Sequence, residues 1–267
     1  MIHVCERVSG RLLKIAQYQK DKGACPVIAC QQIPHTFIEW ASEFPVISWS
    51  NLEGLRHIMK DHVVWAHTSC DVPGWLEPMA PRVDNLDIHD LSRNHMDLYK
   101  KFHSITVPSE GYKRILNNHE KVRVVYSRLP QSMAPPKGVG TRGTVLVSAV
   151  QNTPIYRDYR EANEYIPGGM DVFCANYPSD LANDLRCFQP MEYRRMLQKL
   201  TRYTTGYAGP ANSQHRIDDV VTNKFWEYLA AGLDVNLGRW DPPKEMTEVL
   251  ERVRSGEISV FMDEENV

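Results

Sequence analysis

With 267 residues, 42% hydrophobic and 24% charged, and a net charge of −2, the chain has the profile of a globular protein long enough for two small domains. No global basic field argues for nucleic acid or an anionic membrane surface, although local patches stay open. No apolar run approaches the ~18 residues of a transmembrane helix, and Met1–Arg7 lacks the apolar core of a signal peptide. The six cysteines (Cys5, Cys25, Cys30, Cys70, Cys174, Cys187) show neither a CxxC pair nor zinc-ligand spacing, so they read as free thiols in a reducing, cytoplasmic setting.

The first half alternates short apolar runs with helical stretches. Strands are predicted at Ile2–Cys5, Pro26–Cys30, Val46–Trp49, Val63–His67, Arg82–Asp87, Ser104–Val107 and Val122–Tyr126. Between the first two, Leu12, Ile15, Ala16 and Gln19 fall at helical spacing in Arg11–Lys22, with Gly23 as a stop. Its basic residues Arg11, Lys14, Lys20 and Lys22 read as a solvated face, or as a contact to an anionic acceptor or lipid. Ser109 is placed to cap a helix running to about Asn117. Strands apolar on both faces and separated by helices imply a parallel sheet covered on both sides.

Residues 131–143, with Pro135, Pro136, Gly138 and Gly140, break this pattern and read as a linker between domains at 1–130 and 144–267. The alternation then restarts. Thr144–Val150, Met170–Ala175, Thr204–Ala208 and Asp234–Leu237 are predicted strands. Met191–Leu200, Lys224–Ala231 and Lys244–Arg254 are predicted helices, and Ser259–Met262 is a final edge strand or a tail.

The most informative segment is Thr222–Val235. Asn223 is placed to cap a helix in which Phe225, Tyr228 and Leu229 form an apolar stripe, and Gly232 supplies the left-handed stop. Such a helix offers free N–H groups and positive partial charge at its start, which suits a phosphate. Glu227, one turn in, has the acceptor capacity for a ribose diol.

Asn223, Lys224, Glu227, Tyr228, Leu229, Ala230, Ala231, Gly232 and Val235 resemble the donor-binding signature of GT-B glycosyltransferases of the retaining, GT4-like kind; Asp234 stands where that signature has proline. Weaker likenesses follow in the family's order: Ile2–Cys5 with Ser9 and Gly10, Val63–His67, Asp87-Ile88-His89-Asp90, Ile105–Glu110 and Lys121–Tyr126. The resemblance implies an α/β fold of two Rossmann-like domains facing across a cleft, closing over a hinge near Pro135 and Pro136. It implies transfer of a sugar from a UDP- or GDP-sugar to an acceptor hydroxyl, with retention and without a cofactor or catalytic metal.

By the same resemblance, Glu227 holds the ribose and Asp219 occupies the place of a further acid eight residues earlier. The family's diphosphate-binding Gly-Arg is missing; Arg157 is the best substitute, with Arg160 and Lys224 as further cations and Asn223 at the helix start. His89 is placed against the donor sugar, or is a strand-end histidine bonded to a carbonyl; Asp87 and Asp90 either orient it or cap a helix. Asp84, Asp87 and Asp90 read as caps rather than a metal site. Ser9, Gly10, His67 and Trp75 lie on the acceptor side, Trp75 either stacking on an acceptor ring or buried. The acceptor stays open among a glycan, a lipid, a small metabolite, a protein and a modified DNA base. The competing readings are a GT-B epimerase or phosphorylase and a catalytically silent, partner-binding GT-B subunit.

Overall fold

The computed structural model describes residues 1–68, 72–91, 93–117, 119–136, 138, 140–148, 159–174, 185–213 and 220–263. The chain divides into two compact units, Met1–Ser132 with Met262–Val267, and Met133–Phe261.

In the first unit the described residues form strands β1 (Ile2–Arg7), β2 (Val27–Gln32), β3 (Val46–Ser48), β4 (Val64–Thr68), β5 (Asn85–Ile88), β6 (Ile105–Val107) and β7 (Val122–Val124). They pair in the order β3-β2-β1-β4-β5-β6-β7, and every pairing is parallel. The order reverses between β1 and β4, the topological switch point at which open α/β sheets bind ligands beyond their carboxyl ends. β4 and β5 are buried along their whole length, as a sheet covered on both faces requires. β5 starts three residues later than the apolar run suggests, because Ala80–Arg82 forms a 3-10 turn around Pro81, which has no N–H to give a ladder.

The helix Gly10–Asp21 follows β1 and is capped by Ser9, whose Oγ accepts from the Leu12 N–H at 3.2 Å. Its expected solvated basic face is corrected at two positions. Arg11 and Lys14 are both 0% exposed. Arg11 turns into the sheet, where Nε and Nη2 donate to the Asp87 carboxylate at 2.6–3.1 Å and Nη1 donates to the Val125 carbonyl and Ser127 Oγ. Lys14 Nζ donates to the Ser127 carbonyl at 3.1 Å. A helix lying flat on a sheet buries more of its circumference than its apolar residues fill, so the cations on that face must find acceptors inside.

Asp87 is the hub of this buried array. It also accepts from Thr106 Oγ1 at 2.7 Å and pairs with His67 Nδ1 at 3.1 Å. His67 Nε2 lies 2.8 Å from His3 Nδ1, and His3 Nε2 lies 2.7 Å from Gln19 Oε1. Burial opposes the ionised Asp87, but the Arg11 guanidinium and the His67 hydrogen bond overcome it and hold the carboxyl well below the usual range. Burial, and then the neighbouring His67, lower His3 to about 3.

Met262 returns to this unit. Its N–H donates to the Leu129 carbonyl at 2.8 Å, and its side chain packs with Ile15, Tyr18 and Trp65. Asp263 accepts from Arg128 Nη1 at 3.0 Å. Ser259–Met262 adds no strand to either sheet.

The second unit has β8 (Arg142–Ser148), β9 (Met170–Cys174), β10 (Arg186–Phe188), β11 (Tyr203–Tyr207) and β12 (Asp234–Asn236), paired in the order β10-β9-β8-β11-β12, again all parallel. β10 has no counterpart among the predicted strands; Arg186 and Phe188 are exposed and only Cys187 is half-buried, and three residues are too short a run to read as a strand. The order reverses between β8 and β11. The helix Asn223–Ala230 bridges that point, because Tyr228 accepts the Val147 N–H of β8 at 2.8 Å while its ring lies against Gly206 of β11. A Cβ on Gly206 would sit 2.1 Å from the Tyr228 ring. Gly206→Ala is therefore expected to destabilise the fold by roughly 1–3 kcal/mol through overpacking, read as a lower Tm in a thermal melt; an unchanged Tm would show that the ring has room to withdraw.

Candidate functional site

The helix Asn223–Ala230 is the element to build from. Phe225, Trp226 and Tyr228 are fully buried and fasten it to the second sheet, and Gly232 at φ 79° lets the chain reverse into β12. Its cap differs from expectation. Thr222, with extended φ and ψ, is the N-cap and Asn223 is the first helical residue, so Asn223 is corrected from cap to first turn. The Thr222 side chain makes no capping bond, so it leaves the first-turn N–H groups to other partners.

Glu227 is 7% exposed, and its Oε1 accepts a hydrogen bond from the Tyr193 hydroxyl at 2.7 Å. Tyr193 opens the helix Tyr193–Leu200, which lies between β10 and β11 in sequence. Burial first, and then the Glu227 charge, push the Tyr193 phenol well above its ordinary value, so the tyrosine is the donor and Glu227 the acceptor. Lys224, at the start of the motif helix, lies with Nζ 5.7 Å from the Tyr159 ring centroid. Tyr159 resumes the described chain after the segment that follows β8. The switch point of the second sheet thus brings together a buried carboxylate, a cation and a helix start. Neither Tyr193 nor Tyr159 was marked by the sequence, and only the glycine in the otherwise β-branched and aromatic β11 signalled a close approach at Gly206.

Arg157 and Asp219 lie outside the described residues. Arg160 is exposed at the start of the helix Arg160–Glu164.

In the first unit the expected acceptor-side residues separate. Ser9 and Gly10 stand at the turn after β1, at the switch point, with Ser9 Oγ engaged as the cap. His67 is buried between His3 and Asp87. Trp75 is 5% exposed and packs edge-on against Trp49, ring centroids 5.6 Å apart, so of its two readings the structure selects burial. His89 follows β5 directly, half-buried, and its backbone N–H donates to the Thr68 carbonyl at 2.8 Å; Asp90 beside it is exposed. Asp84 accepts the Val64 N–H at 2.7 Å, a backbone role that ties β4 to the turn before β5. Asp87, inside β5, serves Arg11, His67 and Thr106 instead of capping a helix, so Asp84 and Asp87 are committed to different partners.

Neither a protein-family model nor a curated protein sequence matches the chain. Solved structures do. HepE of Anabaena, in complex with UDP and glucose, aligns over 95% of this chain and 88% of its own with a TM-score of 0.60 at 11% identity. An alpha-glucosyltransferase in complex with UDP-glucose and DNA containing an abasic site aligns over 95% and 89% with a TM-score of 0.56 at 11% identity. A candidate UDP-N-acetylglucosamine 2-epimerase from Listeria monocytogenes aligns over 96% and 88% with a TM-score of 0.54 at 9% identity. Two all-parallel α/β units, and this likeness over nearly the whole length of those chains, give the chain the two-Rossmann GT-B fold of glycosyltransferases.

Proposed function

We propose that the chain is a glycosyltransferase that takes a sugar from a UDP-sugar to an acceptor hydroxyl. The observation that carries this reading is Glu227. A carboxylate in the donor-signature helix sits at the switch point of the second sheet, buried and fixed by a hydrogen bond. The UDP bound by HepE and the UDP-glucose bound by the alpha-glucosyltransferase support uridine as the base of the donor.

In this reading the second unit binds the donor and the first unit the acceptor. Glu227 accepts from the ribose hydroxyls. The first-turn N–H groups at Asn223 and Lys224 take the diphosphate, together with Arg157. Asp219 keeps the role near the donor sugar that the resemblance gives it. These groups stabilise the charge that grows on the leaving nucleotide, so the reading needs no metal or cofactor. The acceptor oxygen forms the new bond to the anomeric carbon as the bond to the diphosphate breaks. Its proton passes to a diphosphate oxygen on the same face, which retains configuration. His89 and Asp90, at the end of β5, and Ser9 and Gly10, after β1, are the first-unit residues assigned to the acceptor and the transferred sugar in this reading. Among the described residues Cys5, Cys25, Cys30, Cys174 and Cys187 form no disulfide, which suits the reducing, cytoplasmic setting read from the sequence.

The test is a thermal-shift series with UDP, GDP, ADP and their glucose and N-acetylglucosamine conjugates. UDP and its sugars are expected to raise Tm selectively; at a hundredfold excess over Kd, linkage gives about 2.7 kcal/mol. No shift with any nucleotide would abandon the enzyme reading for the silent subunit. Conversion of UDP-N-acetylglucosamine to its epimer without an acceptor would replace transfer by epimerisation, the reading that the Listeria likeness favours.

A further inference from the structure

We propose that Tyr193 is a positioning residue for nucleotide recognition, acting through Glu227. This rests on the ribose-binding role given to Glu227 above. The two residues are 34 apart in sequence and meet because two helices of the second unit converge.

The start of the Tyr193 helix is itself fastened. Glu192 is its N-cap, and its Oε2 accepts from the Arg194 N–H at 2.8 Å and the Arg195 N–H at 3.3 Å. Those bonds set the backbone that carries Tyr193. The phenol then donates to Glu227 Oε1 at 2.7 Å. An O–H donor on a carboxylate is a charge-assisted bond, stronger and more directional than a neutral one.

A glutamate side chain has three rotatable bonds, and ordering it on ligand binding costs entropy. The Tyr193 bond places that cost in folding rather than in binding. A carboxylate has about four lone-pair sites, so it accepts the phenol and a diol together. Burial and the charges of Glu227 and Glu192 keep the phenol protonated, so the donor persists across the neutral range. The result is a rigid acceptor for a vicinal diol, which discriminates for ribonucleotides.

The experiment titrates UDP and 2′,3′-dideoxy-UDP, by calorimetry, into the full chain and its Tyr193→Phe, Glu227→Gln and double variants. Tyr193→Phe is expected to weaken UDP about tenfold and leave dideoxy-UDP within about twofold. The double variant is expected to bind UDP no more weakly than Glu227→Gln alone, because both changes remove one unit. Three results overturn the proposal: UDP affinity unchanged in Tyr193→Phe while Glu227→Gln weakens it, equal losses for both nucleotides, or additive losses in the double variant. If Glu227→Gln itself leaves UDP affinity intact, the ribose reading fails first, and the proposal with it. If Tyr193→Phe does not fold, Tyr193→His decides on the same selectivity.

Discussion

Glu227→Ala is expected to weaken UDP and UDP-sugar binding about 10- to 100-fold while the ligand-free protein keeps most of its stability. Hydrogen bonds to a charged group are worth about 1.5–3 kcal/mol, and each 1.4 kcal/mol is tenfold in affinity. The fold tolerates the loss because Phe225, Trp226 and Tyr228, not Glu227, carry the packing of the helix. The change leaves one tyrosine hydroxyl without its acceptor, a modest cost beside the expected loss of the proposed ribose contacts. Calorimetric titration of UDP, with a thermal melt of the ligand-free variant, reads both terms. Full affinity in a folded Glu227→Ala protein would remove Glu227 from the donor site.

Asp87→Ala is expected to destabilise the first unit by about 3–5 kcal/mol, the cost of leaving a buried cation without its partner. Arg11 is the stranded group, fully buried and bonded through two nitrogens to that carboxylate. Urea unfolding of wild type and variant gives the difference, and a loss under about 1 kcal/mol would mean that the unit rearranges to solvate Arg11. The same array predicts acid sensitivity. His3 is held to about 3 against 6.5, so below about pH 6.5 the unfolded chain takes up a proton that the folded chain refuses. Its contribution is complete above 6.5 and declines as the pH falls toward 3. Asp87, depressed as well, adds a further loss as the pH drops below about 3.9, the ordinary aspartate value. Unfolding free energy is thus expected to fall steadily from neutral pH downward, and His3→Gln to flatten the slope between about pH 6.5 and 4. An unaltered slope in that variant would place the acid lability elsewhere.

These cases mark where the sequence is readable. Local rules found the capped starts. Ser9 and Ser109 each accept from a first-turn N–H, at Leu12 and Tyr112, because a cap is decided within three residues. Runs largely apolar on both faces placed the central strands, since burial on both sides leaves few polar positions, each of which needs a partner inside. The motif helix was legible for the same reason, as its apolar positions and Gly232 are local. Thr222 was harder, because Thr and Asn are both good caps and only the backbone dihedral chooses between them.

What the sequence by itself determined, then, was the alternation of strand and helix, the position of the donor-signature helix and the presence of a carboxylate within it. Each of these depends on neighbours a few residues away. Only the tertiary structure decided the partners of the polar groups. Arg11 looked solvated until Asp87, 76 residues away, came beneath it, and Trp75 stood open between two readings until it packed against Trp49. Tyr193 carried no signal until the fold brought it to Glu227. A buried polar group must satisfy its hydrogen bonds wherever the chain allows, and those pairings depend on distance in space, which no short-range pattern encodes.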